Sequence, residues 1–324
     1  MELQQLRYVL AVARAGNFSR AAEQCHVSQP SLSQQIQKLE AELGGRLFDR
    51  LKTRARLTPA GEALAERATR ILAEVDAAQR DASDARGLTR GRIAVGVLPT
   101  VAPYLLPRVL PAFHREFPGI ELVVQEDTTA RLIALLVACE VDLAIASLPI
   151  HDDRVRTETL FTEELLVALP PSHPLLKKRA LHAADLESER FILMKEGHCL
   201  GDQVLNFCTR RDFRPNISCR SAQIETVRAL VQAGLGISLV PAMACPADDA
   251  ARRHYRSLAA PAPQRTIAAL WLARRPPNRA AAAFLQHLSA AGNGDGGNTK
   301  LTKSKLQRTP NHQTPEGLPS AARD

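Results

Sequence analysis

Cys199 and Cys208 stand nine residues apart and carry the most specific chemistry in this sequence. Cys199 follows Gly197-His198 and opens the run Leu200-Gly201-Asp202-Gln203, which predicts a helix beginning at the cysteine. A thiolate at a helix start is stabilised by the positive end of the helix dipole and by a nearby cation. Both lower its pKa and speed its attack on oxidants. His198, and any arginine brought close by the fold, are the candidate cations. If 199–208 is helical throughout, nine steps of roughly 1.5 Å part the two Cα atoms by about 13 Å. A disulfide needs them within about 7 Å. Two readings stay open: the thiols do not pair, or oxidation forces the segment into a new backbone conformation and so works as a redox switch. The remaining four cysteines, Cys25, Cys139, Cys219 and Cys245, read as small buried hydrophobes. There is no CxxC and no zinc-like Cys/His spacing, so neither a structural metal nor a cofactor is expected.

The elements that must position these thiols read as alternating strands and helices. Ile93, Val95 and Val97 alternate as a strand, and 103–117 reads as a helix. Further strands are expected at 121–125, 141–147, 164–169, 190–194, 237–240 and 267–273, with helical stretches between most of them. Such alternation predicts a parallel α/β sheet, and the length of 91–290 suits two subdomains around a cleft. Ligands of open α/β sheets sit beyond the carboxyl ends of strands. Thr100, Thr129, His198 and Cys199 fall at or near such ends.

The first sixty residues have a different character. Leu3, Leu6, Leu10 and Ala13 share a face of a first helix that Gly16-Asn17 ends. Ser19 is the expected N-cap of a short second helix, 20–25, followed by the turn His26-Val27-Ser28. A third helix starts at Ser28 or Gln29 with Pro30 in its first turn. Leu32, Ile36, Leu39 and Leu43 make its buried stripe, and Gly44-Gly45 stops it. Its outer face carries Pro30, Gln34, Gln37 and Ala41, flanked by Ser33 and Lys38. Glutamine can pair with adenine and serine can reach bases or phosphate, so the pattern reads as a helix-turn-helix. The basic run Arg46, Arg50, Lys52, Arg54, Arg56 suits a wing hairpin along phosphates. Thr58-Pro59 then caps a helix over 59–87. In it Leu64, Ala68, Ile71, Val75, Ala78, Ala82 and Ala85 repeat at heptad spacing, a strip suited to dimer packing.

Charge and composition agree with this division. The chain of 324 residues carries a net charge of +8, and residues 1–60 hold nine Lys or Arg against five Asp or Glu. Its 45% hydrophobic content is enough for sizeable cores. The longest apolar run, 132–139, is too short to span a bilayer. No signal peptide is read at the start, so the expected location is cytoplasmic, where the default is six free thiols. From 291 to 324 the chain is rich in Gly, Asn, Thr, Lys and Pro, and a disordered tail is expected.

The run Asn17-Phe18-Ser19-Arg20-Ala21-Ala22, the run His26-Val27-Ser28-Gln29-Pro30-Ser31-Leu32-Ser33 and Leu57-Thr58-Pro59-Ala60-Gly61 resemble the LysR-type transcriptional regulators. Leu98-Pro99-Thr100-Val101-Ala102-Pro103, Gly197-His198-Cys199 with Asp202-Gln203, and Phe207-Cys208 extend the resemblance to that family's peroxide sensors. The resemblance covers about 1–290. It implies a winged helix-turn-helix at 1–58, a linker and dimerisation helix at 59–90, and a two-subdomain effector domain like periplasmic binding proteins at 91–290. It implies that Cys199 is the peroxidatic and Cys208 the resolving cysteine, with Thr100, Thr129, His198, Asp202 and Arg265 holding and activating hydrogen peroxide. DNA contacts would come from Ser28, Gln29, Pro30, Ser31, Ser33, Gln34, Lys38, Arg50 and Arg54, and dimer contacts from Leu64, Ile71 and Val75. The implied partners are double-stranded promoter DNA, RNA polymerase and further copies of the chain as a dimer of dimers. Two alternatives compete: a regulator of the same fold that binds a small organic effector between its subdomains, and a peroxide-reducing enzyme. The enzyme reading is disfavoured, because no cysteine has Thr or Ser three residues before it and the first ninety residues would go unexplained.

Overall fold

The structure, a computed structural model, describes residues 1–51, 54–84 and 91–293. The N-terminal unit comprises α1 (Leu3–Ala15), α2 (Phe18–Gln24), α3 (Gln29–Leu43), the antiparallel hairpin β1 (Phe48–Leu51) and β2 (Arg54–Leu57), and the long α4 (Pro59–Asp84). It is a winged helix-turn-helix, as the residue pattern predicts.

Its local details differ from the sequence reading in three places. α1 buries Gln5, Leu6, Tyr8, Val9 and Val12, whereas Leu3 is exposed. The buried face is therefore rotated from the one that leucine spacing suggested. Asn17, not Ser19, caps α2: its side-chain oxygen accepts the N–H groups of Ser19 and Arg20 at 2.8 and 3.2 Å. An asparagine is as good an N-cap as serine, and this one comes first in the chain. On α3 the buried stripe is Leu32, Ile36 and Leu39, while Leu43 is exposed in the last turn before Gly44, which takes the left-handed φ of 73°. Ser28 caps α3 as expected, accepting the Ser31 N–H. Thr58 ties the wing to α4, since its hydroxyl accepts the Gly61 N–H and donates to the Arg46 carbonyl.

The heptad strip of α4 is divided. Ala68 and Leu72 are buried with Leu6 of α1, and Leu64 packs on the same cluster. Leu64 is thus partly occupied by its own domain. A DNA-binding unit this small needs the extra apolar cover. Ile71 is exposed and Val75 half-buried. The expected extension of the helix to 87 lies outside the described residues.

The effector half begins with β3 (Gly91–Val97), α5 (Ala102–Glu116), β4 (Ile120–Glu126), α6 (Thr129–Val137) and β5 (Leu143–Ser147). There follow β6 (Val155–Ala168), β7 (Arg190–Met194), α7 (Cys199–Thr209), β8 (Asn216–Ser221) and α8 (Ile224–Gln232). Then come β9 (Ser238–Pro241), α9 (Asp249–Arg252), β10 (Tyr255–Arg256), β11 (Gln264–Leu272) and α10 (Arg279–Asn293). The main sheet runs β4-β3-β5-β11-β6-β10, with β9 also on β6. β3 is parallel to both β4 and β5, but β11 is antiparallel to β5 and β6. The sheet is therefore mixed, not parallel throughout as expected.

Two lobes result. The first buries Val95, Val97, Ile145, Phe113 and Phe284; the second buries Val167, Phe191, Ile192, Leu239, Val204 and Cys208. β6 leaves the first lobe for the second, and β11 returns. α10 then packs Phe284 and Leu288 onto the first lobe. α10 ends at Asn293, so helix occupies the first residues assigned to the tail, and 294–324 lie outside the described residues.

Candidate thiol redox site

The chain places Cys199 by a tight approach. β7 ends at Met194, Gly197 turns at a φ of 88°, and His198 becomes the N-cap of α7. A Cβ on Gly201 would lie 2.9 Å from the Met194 carbonyl oxygen, so glycine lets the first turn of α7 press against the strand. From there α7 is shared unequally between the lobes. Leu200, Val204 and Cys208 pack in the second core, whereas Cys199 packs against the first. The thiol therefore lies in the seam.

Three other elements converge on it. Arg265, on the returning strand β11, is fully buried. Its Nε donates to Glu163 Oε1 at 2.8 Å, its Nη1 to Thr100 Oγ1 at 2.9 Å, and its Nη2 to the Thr100 carbonyl at 3.0 Å. Thr100 sits between β3 and α5. Thr129 is the first residue of α6, and its buried Oγ1 makes no regular hydrogen bond. Close by, Gln203 donates to Ser147 Oγ at 2.7 Å, while its own Oε1 is buried without a partner.

Burial raises the Cys199 pKa above the ordinary thiol value, and this outweighs the opposing influences. The Arg265 charge, the Thr129 hydroxyl and the Leu200 N–H pull it down; Asp202 pushes it up. This corrects the expectation of a lowered value at the helix start: desolvation wins, because the thiol is packed between two lobes. The cation acting on it is Arg265. His198 caps the helix, half-buried, and Asp202 is exposed on the first turn. Cys208 is fully buried, and burial pushes its thiol up to about 12. α7 is continuous from Cys199 to Thr209, which keeps the two Cα atoms about 13 Å apart.

Thr100, Thr129 and Arg265 are thus gathered at Cys199, with His198 and Asp202 at the rim. Glu163, Ser147 and Gln203 belong to the same cluster and were not singled out from the sequence. Glu163 gives no local signal, since its partner Arg265 is 102 positions away across paired strands.

At the other end of the chain, Gln29, Pro30, Ser31, Gln34 and Lys38 line the exposed side of α3, with Ser33 half-buried. Ser28 spends its hydroxyl on the cap, and Lys38 Nζ lies 3.6 Å from a Glu2 carboxylate oxygen. Arg50 lies on β1 of the wing; Arg54 is exposed on β2.

Comparison with known proteins decides the family. Residues 86–293 match the LysR substrate binding domain, and residues 3–62 match the bacterial regulatory helix-turn-helix protein, lysR family. This chain belongs to the LysR family of transcriptional regulators. The regulator is 37% identical over 271 residues to the DNA-binding transcriptional dual regulator OxyR of Escherichia coli K12, covering 82% of this chain and 88% of that protein. It is similar to a solved full-length OxyR of Pseudomonas aeruginosa with a cysteine-to-aspartate substitution. That match has a TM-score of 0.73 and 35% identity over 89% of this chain and 94% of the other. It is also similar to a cysteine-to-serine mutant of Corynebacterium glutamicum OxyR, H2O2-bound. There the TM-score is 0.57 and the identity 31%, over 90% of this chain and 91% of the other.

Proposed function

We propose that this regulator senses hydrogen peroxide at Cys199, stores the signal as a Cys199–Cys208 disulfide, and activates antioxidant genes from promoter DNA in the cytoplasm. The observation that carries the reading is the placement of Cys199 in the seam, beside the buried Arg265 cation and the buried Thr129 hydroxyl, both of which act on the thiol. Those are the groups a peroxide reaction needs. The Cys199 thiolate attacks one peroxide oxygen; the O–O bond breaks, and the leaving hydroxide takes a proton and departs as water. Arg265 and Thr129 favour the charge on sulfur and on the leaving oxygen. Thr100 steadies the Arg265 fork, and His198 and Asp202 flank the approach. The Cys208 sulfur then displaces hydroxide from the Cys199 sulfenic acid, which leaves as a second water. In total, two thiols and one peroxide give a disulfide and two waters.

The names and ligand of the relatives support this reading. The α7 geometry gives it a consequence: the disulfide cannot form while the helix persists, so oxidation is a conformational event. A remodelled α7 would change how effector domains pair in a dimer of dimers, and so how α3 and the wing meet DNA and RNA polymerase. The test is peptide mapping after one equivalent of peroxide, alongside a DNA gel shift of reduced and oxidised protein. A Cys199–Cys208 peptide with an altered shift is expected. Cys199 left reduced, or linked elsewhere, would refute the mechanism. Regulation without thiol loss would favour a small organic effector between the lobes.

A further inference from the structure

The buried carboxylate of Glu163 has no part in the reaction just written, yet it holds the cation that does. It lies on β6, the strand leaving the first lobe, directly across from Arg265 on the returning strand β11. Both side chains are almost wholly buried. Glu163 Oε1 receives Arg265 through Nε and Nη2, both at 2.8 Å, and Oε2 accepts the Met243 N–H at 2.9 Å. The opposite side of the guanidinium is held by Thr100. Arg265 is therefore gripped from both sides, and its charge is matched before it reaches the thiol.

We propose that Glu163 is a positioning residue of the sensing site: it fixes the Arg265 fork in the seam and balances the charge that Cys199 would otherwise feel in full. The proposal rests on the peroxide-sensing reading for its biological purpose. The consequence is a restrained sensor. A buried arginine without a counter-ion would draw the proton off the nearest thiol, because a thiolate is the cheapest charge partner left to it. With Glu163 in place, Cys199 keeps its proton more of the time and reacts more slowly with every oxidant.

The groups that act on Cys199 are Arg265 from β11, the Thr129 hydroxyl from α6, and Asp202 and the Leu200 N–H from its own helix. Glu163 also acts on Cys245, which feels Arg252 and Arg228 as well. The test is therefore run on full-length protein with Cys245→Ser in every sample. Cys199 alkylation by iodoacetamide is followed by mass spectrometry from pH 6 to 10.

Glu163→Gln keeps an acceptor for Arg265 but removes the charge. It should move the alkylation midpoint down by about half a pH unit, roughly a threefold rise in thiolate at neutral pH. Glu163→Asp keeps the charge but draws it back by one methylene, so it should move the midpoint the same way by less. A folded Gln variant with an unchanged or raised midpoint overturns the proposal. If the Gln variant does not fold, an unchanged or raised midpoint in the Asp variant overturns it. Wild-type protein whose Cys199 ignores peroxide while these midpoints still shift would sink the sensing reading and leave the positioning role standing.

Discussion

Leu200→Ala measures what the reduced conformation of α7 contributes to the redox balance. Leu200 is 2% exposed and packs in the second lobe beside Val204 and Cys208. Closing the disulfide must bring two Cα atoms from about 13 Å to within about 7 Å, so the residues between them leave the helix. Leu200 follows Cys199 directly and cannot stay seated through that change. A core Leu→Ala substitution costs about 2–5 kcal/mol where the side chain is buried. If Leu200 is buried only in the reduced form, the substitution destabilises that form alone. The free-energy gap between dithiol and disulfide then moves toward the disulfide by the same amount. For a two-electron couple about 1.4 kcal/mol corresponds to 30 mV, so the reduction potential should fall by about 40–110 mV. The assay is equilibration in graded thiol–disulfide buffers, with the disulfide fraction read after acid quench and alkylation. A potential unchanged in Leu200→Ala would show that this side chain stays buried through oxidation, and the argument that α7 must unwind would fail.

Other outcomes follow from the same geometry. Because burial raises the Cys199 pKa, the thiolate is the minor form at neutral pH. The peroxide rate should therefore climb with pH, approaching tenfold per unit through the neutral range and levelling only above the raised pKa, as stopped-flow oxidation would show; a flat profile from pH 6 to 9 contradicts it. Cys208→Ser should leave a Cys199 sulfenic acid that dimedone traps and that drifts to overoxidised forms, whereas a stable disulfide to Cys139, Cys219 or Cys245 in that variant would reassign the partner. Gln34→Ala should cost roughly 1–3 kcal/mol and relax base choice at one operator position. Arg54→Ala should weaken all sequences alike and flatten the salt slope by about one unit, both read from binding titrations at several salt concentrations. Ile71→Glu should break pairing along α4 while Leu64→Glu unfolds the DNA-binding unit instead, since Leu64 faces α1; sedimentation and thermal melts separate the two.

How far the sequence alone reaches depends on how local each signal is. Helix caps, the wing and the start of α7 come from neighbours a few residues apart, and except for the Asn17 cap of α2 they are legible in the sequence. Ser28, Pro30, Gly44 and Cys199 fall where the chemistry of their types puts them. β8 is missed because Asn-Ile-Ser-Cys-Arg-Ser, although it alternates, offers only two apolar positions, Ile217 and Cys219, and neither is fully buried. β6 was shortened for a related reason: its first part, after Val155, is Arg-Thr-Glu-Thr on an exposed stretch of strand. The pKa direction of Cys199 failed differently. Helix start and cation were both read from the sequence, but the opposing desolvation comes from α6 and β11 closing over the thiol, and no window of sequence contains that.

If Cys199 and Cys208 pair as proposed, the unequal sharing of α7 explains why such a switch would need two lobes. A reactive thiol must be reachable by peroxide, yet a resolving thiol that is equally reachable would be oxidised on its own. Burial meets both needs within one helix. Cys208, pushed up to about 12 and fully enclosed in the second core, is inert while the helix holds. On the proposed mechanism Cys199, under the influence of the Arg265 charge in the seam, is expected to react first. Oxidation at Cys199 would replace a thiol by a larger, more polar sulfenic acid between packed surfaces and so weaken the seam where α7 begins. Leu200 and Val204 would then release the helix and expose Cys208. The proposed order of events thus follows from which lobe each cysteine contacts. Exchanging those environments, by loosening the second core with Val204→Ala, should let Cys208 be alkylated in the reduced protein before any peroxide is added.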